Sequence, residues 1–249
     1  MRWLIDIPRT VLTAIAGVLA TIVAVALIVV IAIFDSSSPR IERVIRGWSR
    51  VWLMTSGTTL EVEGRENVDP NRSYVVVANH LSALDIMACV LAVPIPIRFL
   101  AKKELFRIPV LAQGMRTIGI IEVDREARGA IHAEVNRQSK DLIAGGRSLI
   151  IYAEGTRPRN GTMKPFKKGA FTMAISTQLP VLPLSLHGSY EAWPPGRRLI
   201  RGGLIKVVLD KPIETEGLTP SDTGDLRDQV REVISGRVAE MGGRVGRDE

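Results

Sequence analysis

The sequence is poor in the residues that most often carry chemistry on their own. It holds one cysteine, Cys89, and three histidines in 249 residues. A single thiol excludes an internal disulfide framework and any zinc site built from several cysteines. Cys89 lies in the apolar run 86–93, the setting of a buried core thiol rather than of a nucleophile. No H-E-x-x-H or comparable spacing joins the histidines, so the sequence points to no metal site. There is no G-x-S-x-G, so the nucleophile elbow of the serine hydrolases is missing. Acidic residues are the minority: 26 against 33 lysines and arginines, a formal net charge of +7. That balance favours an anionic partner, whether nucleic acid, anionic lipid or a phosphorylated substrate. No nucleic-acid-binding motif accompanies the charge, so the sequence points to no nucleic-acid partner.

What the chain does have is apolar and concentrated at its start. Hydrophobic residues make up 46% of it, and the mean hydropathy is +0.15. Residues 10–34 contain no charged side chain. As a helix they would reach about 37 Å, enough to cross a hydrocarbon core of about 30 Å with some tilt. The stretch is too long for the apolar region of a signal peptide, which favours a membrane anchor. After the break Ser36-Ser37-Ser38-Pro39, the residues Ile41, Val44, Ile45, Trp48, Val51 and Trp52 fall on one helical face, with Arg40, Arg43, Arg46 and Arg50 largely off it. Such a helix suits the headgroup region of a bilayer; packing on a globular domain is the alternative. More arginines follow the apolar run than precede it. The positive-inside rule then puts the globular part on the cytoplasmic face of the cell (inner) membrane, and a helix entering and leaving on one face is also open.

From about residue 58, short β-rich runs alternate with helical patterns. Strands are predicted at 59–62, 74–78, 97–101, 118–123, 148–153, 181–186 and 205–209, and helices at 83–92, 105–116, 127–143, 167–177 and 221–240. The alternation predicts an α/β domain with a mixed, largely parallel sheet flanked by helices. Three parts are expected: a membrane anchor and amphipathic helix at 1–55, a catalytic domain at 56–241 and a polar, frayed tail at 242–249.

Three groups of residues carry the chemistry. The strand ending at Ala78 runs into Asn79-His80-Leu81-Ser82-Ala83-Leu84-Asp85. Ser82 and Asp85 have the spacing of a helix cap, with Asp85 complementing the helix dipole. That leaves His80 unexplained, at the C-terminal end of a strand where α/β folds place ligands. A carboxylate in the first helical turn can reach back and orient the imidazole, and a His–Asp pair without a protein nucleophile suits direct deprotonation of a substrate hydroxyl. The second group is Lys102-Lys103-Glu104-Leu105, with Pro109, Gly114, Gly119 and Arg125 beyond; alone it reads equally as solvated charge. The third is Glu154-Gly155-Thr156-Arg157 at a strand end, followed by Pro165-Phe166-Lys167-Lys168-Gly169. An arginine in such a loop can grip a phosphate through its planar fork, or belong to a basic surface loop.

Taken in order, these blocks resemble the glycerolipid acyltransferases with the H-x-x-x-x-D motif, the family of 1-acyl-sn-glycerol-3-phosphate (lysophosphatidic acid) acyltransferase. The proline-flanked strand Leu179-Pro180-Val181-Leu182-Pro183-Leu184 resembles a fourth block, and the apolar N-terminus plus amphipathic stretch is similar to the two-helix membrane motif of bacterial members. One departure is visible: the family often has Phe-Pro before the glutamate, where this chain has Tyr152-Ala153, a change expected to affect backbone stiffness rather than chemistry. The resemblance implies His80 and Asp85 as catalytic residues and Lys102, Arg125, Glu154, Gly155, Thr156 and Arg157 as substrate-binding ones. It implies acyl transfer from acyl-CoA or acyl-carrier protein to lysophosphatidic acid at the bilayer, with no cofactor. His187, read by itself, is a structural residue rather than a second base. A glycerol-3-phosphate or other lysolipid acyltransferase is the nearby alternative; a non-catalytic protein binding anionic lipid is the distant one.

Overall fold

A computed structural model describes residues 3–124, 137–139, 141–143 and 145–246. Two helices lead, α1 (Trp3–Phe34) and α2 (Pro39–Thr55). Seven strands form the main sheet: β1 (Thr58–Glu63), β2 (Val75–Ala78), β3 (Ile97–Lys102), β4 (Ile121–Val123), β5 (Ser148–Tyr152), β7 (Val181–His187) and β8 (Gly203–Leu209), in the order β1-β8-β7-β2-β5-β3-β4. All neighbours pair parallel except β7 with β8. Helices α3 (Leu84–Ala92), α4 (Pro109–Ile118), α5 (Gly169–Thr177), the single turn α6 (Ser189–Ala192) and α7 (Thr223–Glu240) connect or cover them. The largely parallel sheet flanked by helices is the one the alternation predicted.

Strand β2 is central, and Val75, Val76, Val77 and Ala78 are fully buried. A continuous valine run is what a parallel strand covered on both faces requires. One face packs Val76 and Ala78 with Leu84, Ala88, Leu182 and Leu184, and with Ile41, Ile45 and Leu53 of α2. The other packs Val75 and Val77 with Phe171, Val230 and Ile234 of α5 and α7.

Helix α2 does not present its apolar face to lipid. Ile41, Ile45 and Leu53 are buried in the core, and Trp48 and Trp52 pack against the same cluster. The Trp48 indole N–H donates to Thr21 Oγ1 of α1 at 2.9 Å. Glu42 pairs with Arg98 of β3, itself 1% exposed, and Arg46 donates to the Val93 carbonyl. Glu42 and Arg46 thus hold α2 to the domain, while Arg40, Arg43 and Arg50 stay exposed.

The surface that could enter lipid belongs to α1, which is long and apolar enough to cross a membrane. Only a narrow stripe of it is buried: Asp6, Thr13, Gly17, Ala24 and Ile28. These recur every seven and four residues, a spacing that keeps one helical face toward a partner. Gly17 lies directly on the Trp52 ring, where any side chain would collide. The stripe is docked along its length. Thr10 accepts the Ile200 N–H, Arg9 donates to the Arg201 carbonyl, and Arg147 donates to the Ser36 carbonyl just beyond the other end.

Two readings change with the structure, and a third falls largely outside it. The predicted strand 118–123 shortens to β4, because α4 opens at Pro109 and runs to Ile118, closed by Gly119 at φ +82°. The tail is not wholly frayed: β9 (Arg244–Val245) pairs parallel with β6 (Thr162–Met163), and Gly246 N–H donates to the Met163 carbonyl. The predicted helix 127–143 lies mostly outside the described residues, and those described within it are helical.

Candidate active site

Strand β2 stops pairing at Ala78, and the next residues are held by side chains instead of a ladder. The Asn79 amide replaces a rung: Nδ2 donates to the Leu186 carbonyl at 2.9 Å and Oδ1 accepts the Leu186 N–H at 2.8 Å. The chain can then turn away without leaving a buried N–H orphaned. The His80 N–H donates to Glu154 Oε1 at 2.8 Å. Asp85, in the first turn of α3, reaches back with one oxygen. Its Oδ2 lies 2.8 Å from His80 Nδ1 and accepts the N–H groups of Leu81 and Ser82 at 2.6 and 2.8 Å. Asp85 is 0% exposed and His80 9%. The cap spacing of Ser82 and Asp85 is used, and each side chain does more: Ser82 Oγ accepts the Leu84 N–H at 3.3 Å and donates to the Trp193 carbonyl, while Asp85 takes the Ser82 N–H together with the imidazole. With Nδ1–H directed at the carboxylate, Nε2 is the nitrogen left to accept a proton.

The parallel register sets Ala78 of β2 beside Tyr152 of β5, so the two strand ends deliver their following residues together. The Tyr152 ring lies on the His80 imidazole, centroids 3.8 Å apart and planes 10° from parallel. Its hydroxyl points at Cys89 Sγ, 3.7 Å away on α3. Burial pushes both the phenol and the thiol above their ordinary ranges, so both stay neutral. Cys89 is a core thiol, as its apolar surroundings predicted.

Glu154 follows, 2% exposed, and it has a structural task beside the role expected of it. Oε1 accepts the His80 N–H and Oε2 the Lys164 N–H at 2.8 Å. Each oxygen takes one backbone N–H inside the protein, tying the histidine turn to the 164–168 loop. Gly155 likewise gives its N–H to the Tyr152 carbonyl. At φ +72°, with the Lys167 side chain where a Cβ would project, position 155 suits glycine only. Thr156 and Arg157 are exposed beyond it. Among the described residues nothing bonds the Arg157 guanidinium. Lys102 ends β3, one strand beyond β5, half exposed and 3.7 Å from Glu104. Strands β2, β5 and β3 run the same way, so His80, Arg157 and Lys102 share the C-terminal edge of the sheet, where open α/β sheets bind ligands. Arg125 lies outside the described residues. His187, at the end of β7, lines a cavity of about 120 Å³ with Leu81 and Tyr190.

Burial raises the Glu154 carboxyl from 4.5 to about 7, against the lowering effect of its two N–H partners. The folded state therefore favours the protonated form. That preference is complete below about pH 4.5 and is lost as pH rises through about 7, a swing of about 3 kcal/mol. Denaturant unfolding of the wild type should lose stability between about pH 4.5 and pH 7 relative to Glu154→Gln, which cannot ionise. Parallel pH–stability curves for the two proteins would overturn the assignment.

Tyr152 is the site residue that the sequence reading missed. The signal lay in the register: two buried parallel strands ending together must bring the last side chain of one against the first turn residues of the other.

The chain matches a family model described as Acyltransferase over residues 59–187. It is 33% identical over 175 residues to the human 1-acyl-sn-glycerol-3-phosphate acyltransferase alpha, covering 70% of this chain and 62% of that protein. The Saccharomyces cerevisiae 1-acyl-sn-glycerol-3-phosphate acyltransferase is 31% identical over 199 residues, covering 79% of this chain and 65% of the relative. The chain thus spans less than two thirds of the length of these relatives. The crystal structure of the 1-acyl-sn-glycerophosphate (LPA) acyltransferase PlsC from Thermotoga maritima superposes with a TM-score of 0.84 at 25% identity, covering 99% of this chain and 100% of that one. The matched family segment opens on β1 and closes at His187, enclosing the His80–Asp85 pair and the E-G-T-R loop; this chain belongs to the acyltransferase family.

Proposed function

We propose that the protein transfers a fatty acyl group from a thioester, acyl-CoA or acyl-carrier protein, to the sn-2 hydroxyl of 1-acyl-sn-glycerol-3-phosphate, giving phosphatidic acid. The observation that carries this reading is a buried His–Asp pair sharing one sheet edge with an exposed arginine that no carboxylate neutralises among the described residues. His80 Nε2 accepts the hydroxyl proton while the oxygen attacks the thioester carbonyl. The tetrahedral intermediate collapses with cleavage of the carbon–sulfur bond, and His80 returns the proton to the departing thiolate. Asp85 holds the imidazole in the productive tautomer and offsets its charge. Arg157, with Lys102 and Arg125, holds the acceptor phosphate, with Thr156 beside it, and so places the hydroxyl. The thioester is already activated, so the reaction as written draws on no metal or cofactor.

Residues 1–55 act as the membrane-binding unit and 56–241 as the catalytic one, on the cytoplasmic face of the inner membrane. Because α1 is docked on the domain at both ends, an upright helix would drag the sheet into the bilayer. The proposed arrangement is therefore α1 lying in one leaflet with its outer face in lipid.

The test of the phosphate role is Arg157→Ala, assayed with lysophosphatidic acid and with a neutral monoacylglycerol. The KM for the phosphorylated acceptor should rise by about tenfold or more, as for loss of a charge-assisted pair, while the neutral acceptor is unaffected. Equal effects on both acceptors would refute it.

A further inference from the structure

The mechanism above leaves one neighbour of the base unused. The Tyr152 ring covers the His80 imidazole at 3.8 Å, backed by the Phe99 ring at 6.1 Å. Its hydroxyl is directed to Cys89 on α3, the helix that also carries Asp85. A bond at Nδ1 fixes one point of the imidazole but leaves the plane free to swing about that bond, because the histidine χ2 torsion is soft. A second constraint is needed to aim Nε2.

We infer that Tyr152 is a positioning residue for the general base: its ring fixes the imidazole plane and its π face stabilises the positive charge the imidazole takes up during transfer. This rests on the proposed role of His80 as the base. The groups facing His80 divide the work. Asp85 meets Nδ1, Glu154 meets the backbone N–H, and Tyr152 meets the ring face. Both Tyr152 and the Cys89 thiol beyond it are kept neutral by burial, so the face presented to the imidazole remains an electron-rich, uncharged ring. A cation held against such a face is stabilised more than the neutral imidazole of the ground state, so the contact acts on the rate and not on acceptor binding. The ring suffices for this; the hydroxyl only anchors it. Phenylalanine in the same place would keep the function.

The experiment compares Tyr152→Leu and Tyr152→Phe in the full-length protein, with thermal unfolding as the control for folding. Tyr152→Leu should lower kcat by about tenfold with KM for lysophosphatidic acid unchanged, and Tyr152→Phe should stay within about twofold of wild type. A Leu variant with normal kcat, a Phe variant as slow as the Leu variant, or a loss confined to KM would each overturn the inference. Histidine-selective NMR reads the stack independently of activity, since only three histidines are present. The His80 ring protons should show an upfield ring-current shift that Phe preserves and Leu abolishes. No such shift in an active wild type refutes the stack alone. A shift in a wild type that transfers no acyl group refutes the base reading and reduces the stack to packing.

Discussion

His80→Ala should lower kcat for acyl transfer by about 10³–10⁴-fold, the upper part of what general base catalysis contributes, while the protein stays folded. The second half of that statement follows from the local bonding. Asp85 Oδ2 keeps the Leu81 and Ser82 N–H groups when the imidazole is gone, and Glu154 still accepts the backbone N–H of residue 80. Asp85 Oδ1 has no partner even with the imidazole present, so no further buried atom loses its last partner, and the cost is one bond to Oδ2 and one ring's packing. The measurement is conversion of lysophosphatidic acid to phosphatidic acid from labelled palmitoyl- or oleoyl-CoA in detergent micelles, with a melting curve alongside. Turnover near the wild-type value in a folded variant would sink the assignment of His80 as the base.

Asp85 separates charge from geometry in a way His80 cannot. Asp85→Asn keeps an oxygen where Oδ2 receives its three contacts but removes the negative charge that balances imidazolium. The turn should persist, and kcat should fall by about 10²–10⁴-fold through loss of tautomer control and charge. Asp85→Ala removes the acceptor itself. Two buried backbone N–H groups are then stranded, at about 1–3 kcal/mol each, so this variant should be both inactive and markedly less stable. Because the pair acts as a unit, adding Asp85→Asn to His80→Ala should slow the enzyme little further. Steady-state kinetics of the single and double variants, with denaturant unfolding of each, check both parts. Multiplicative losses in the double variant would mean that Asp85 acts other than through His80.

The chemistry-bearing turn was legible because its residues are adjacent in sequence. His80 and Asp85 are five apart, and a helix start between them makes their meeting almost obligatory. The roles of Glu154 and Gly155 were not legible, because what decides them is the partner each finds across the fold, the His80 and Lys164 amides for one and the Tyr152 carbonyl for the other. Tyr152 was passed over for the same reason: its departure from phenylalanine looked like a local backbone matter, and only the pairing of β2 with β5 puts its ring on the base. Helix α2 illustrates a different limit. Its apolar face and flanking arginines fit lipid or protein equally, and the deciding contacts, Trp48 with Thr21 and Glu42 with Arg98, join segments far apart in the chain. In α1 the protein-facing stripe is marked by small and polar residues within a uniformly apolar run, so no amphipathic pattern announced it. The C-terminal strand β9 was hidden by its brevity, since two residues carry no periodicity.

The hydrogen bonds at Thr10 and Arg9 lead from α1 to the 200–201 segment. Arg201 N–H then bonds the Ala192 carbonyl, and the neighbouring Trp193 carbonyl receives Ser82 Oγ in the catalytic turn. With the proposed placement of α1, the site is held at one fixed height above the plane of the lipid. Encounter with a lipid acceptor then becomes two-dimensional: the quantity that governs occupancy is the acceptor's mole fraction in the surface, not its amount per litre. Diluting the acceptor with inert lipid at constant bulk concentration starves such an enzyme as surely as removing substrate, and a more fluid surface feeds it faster.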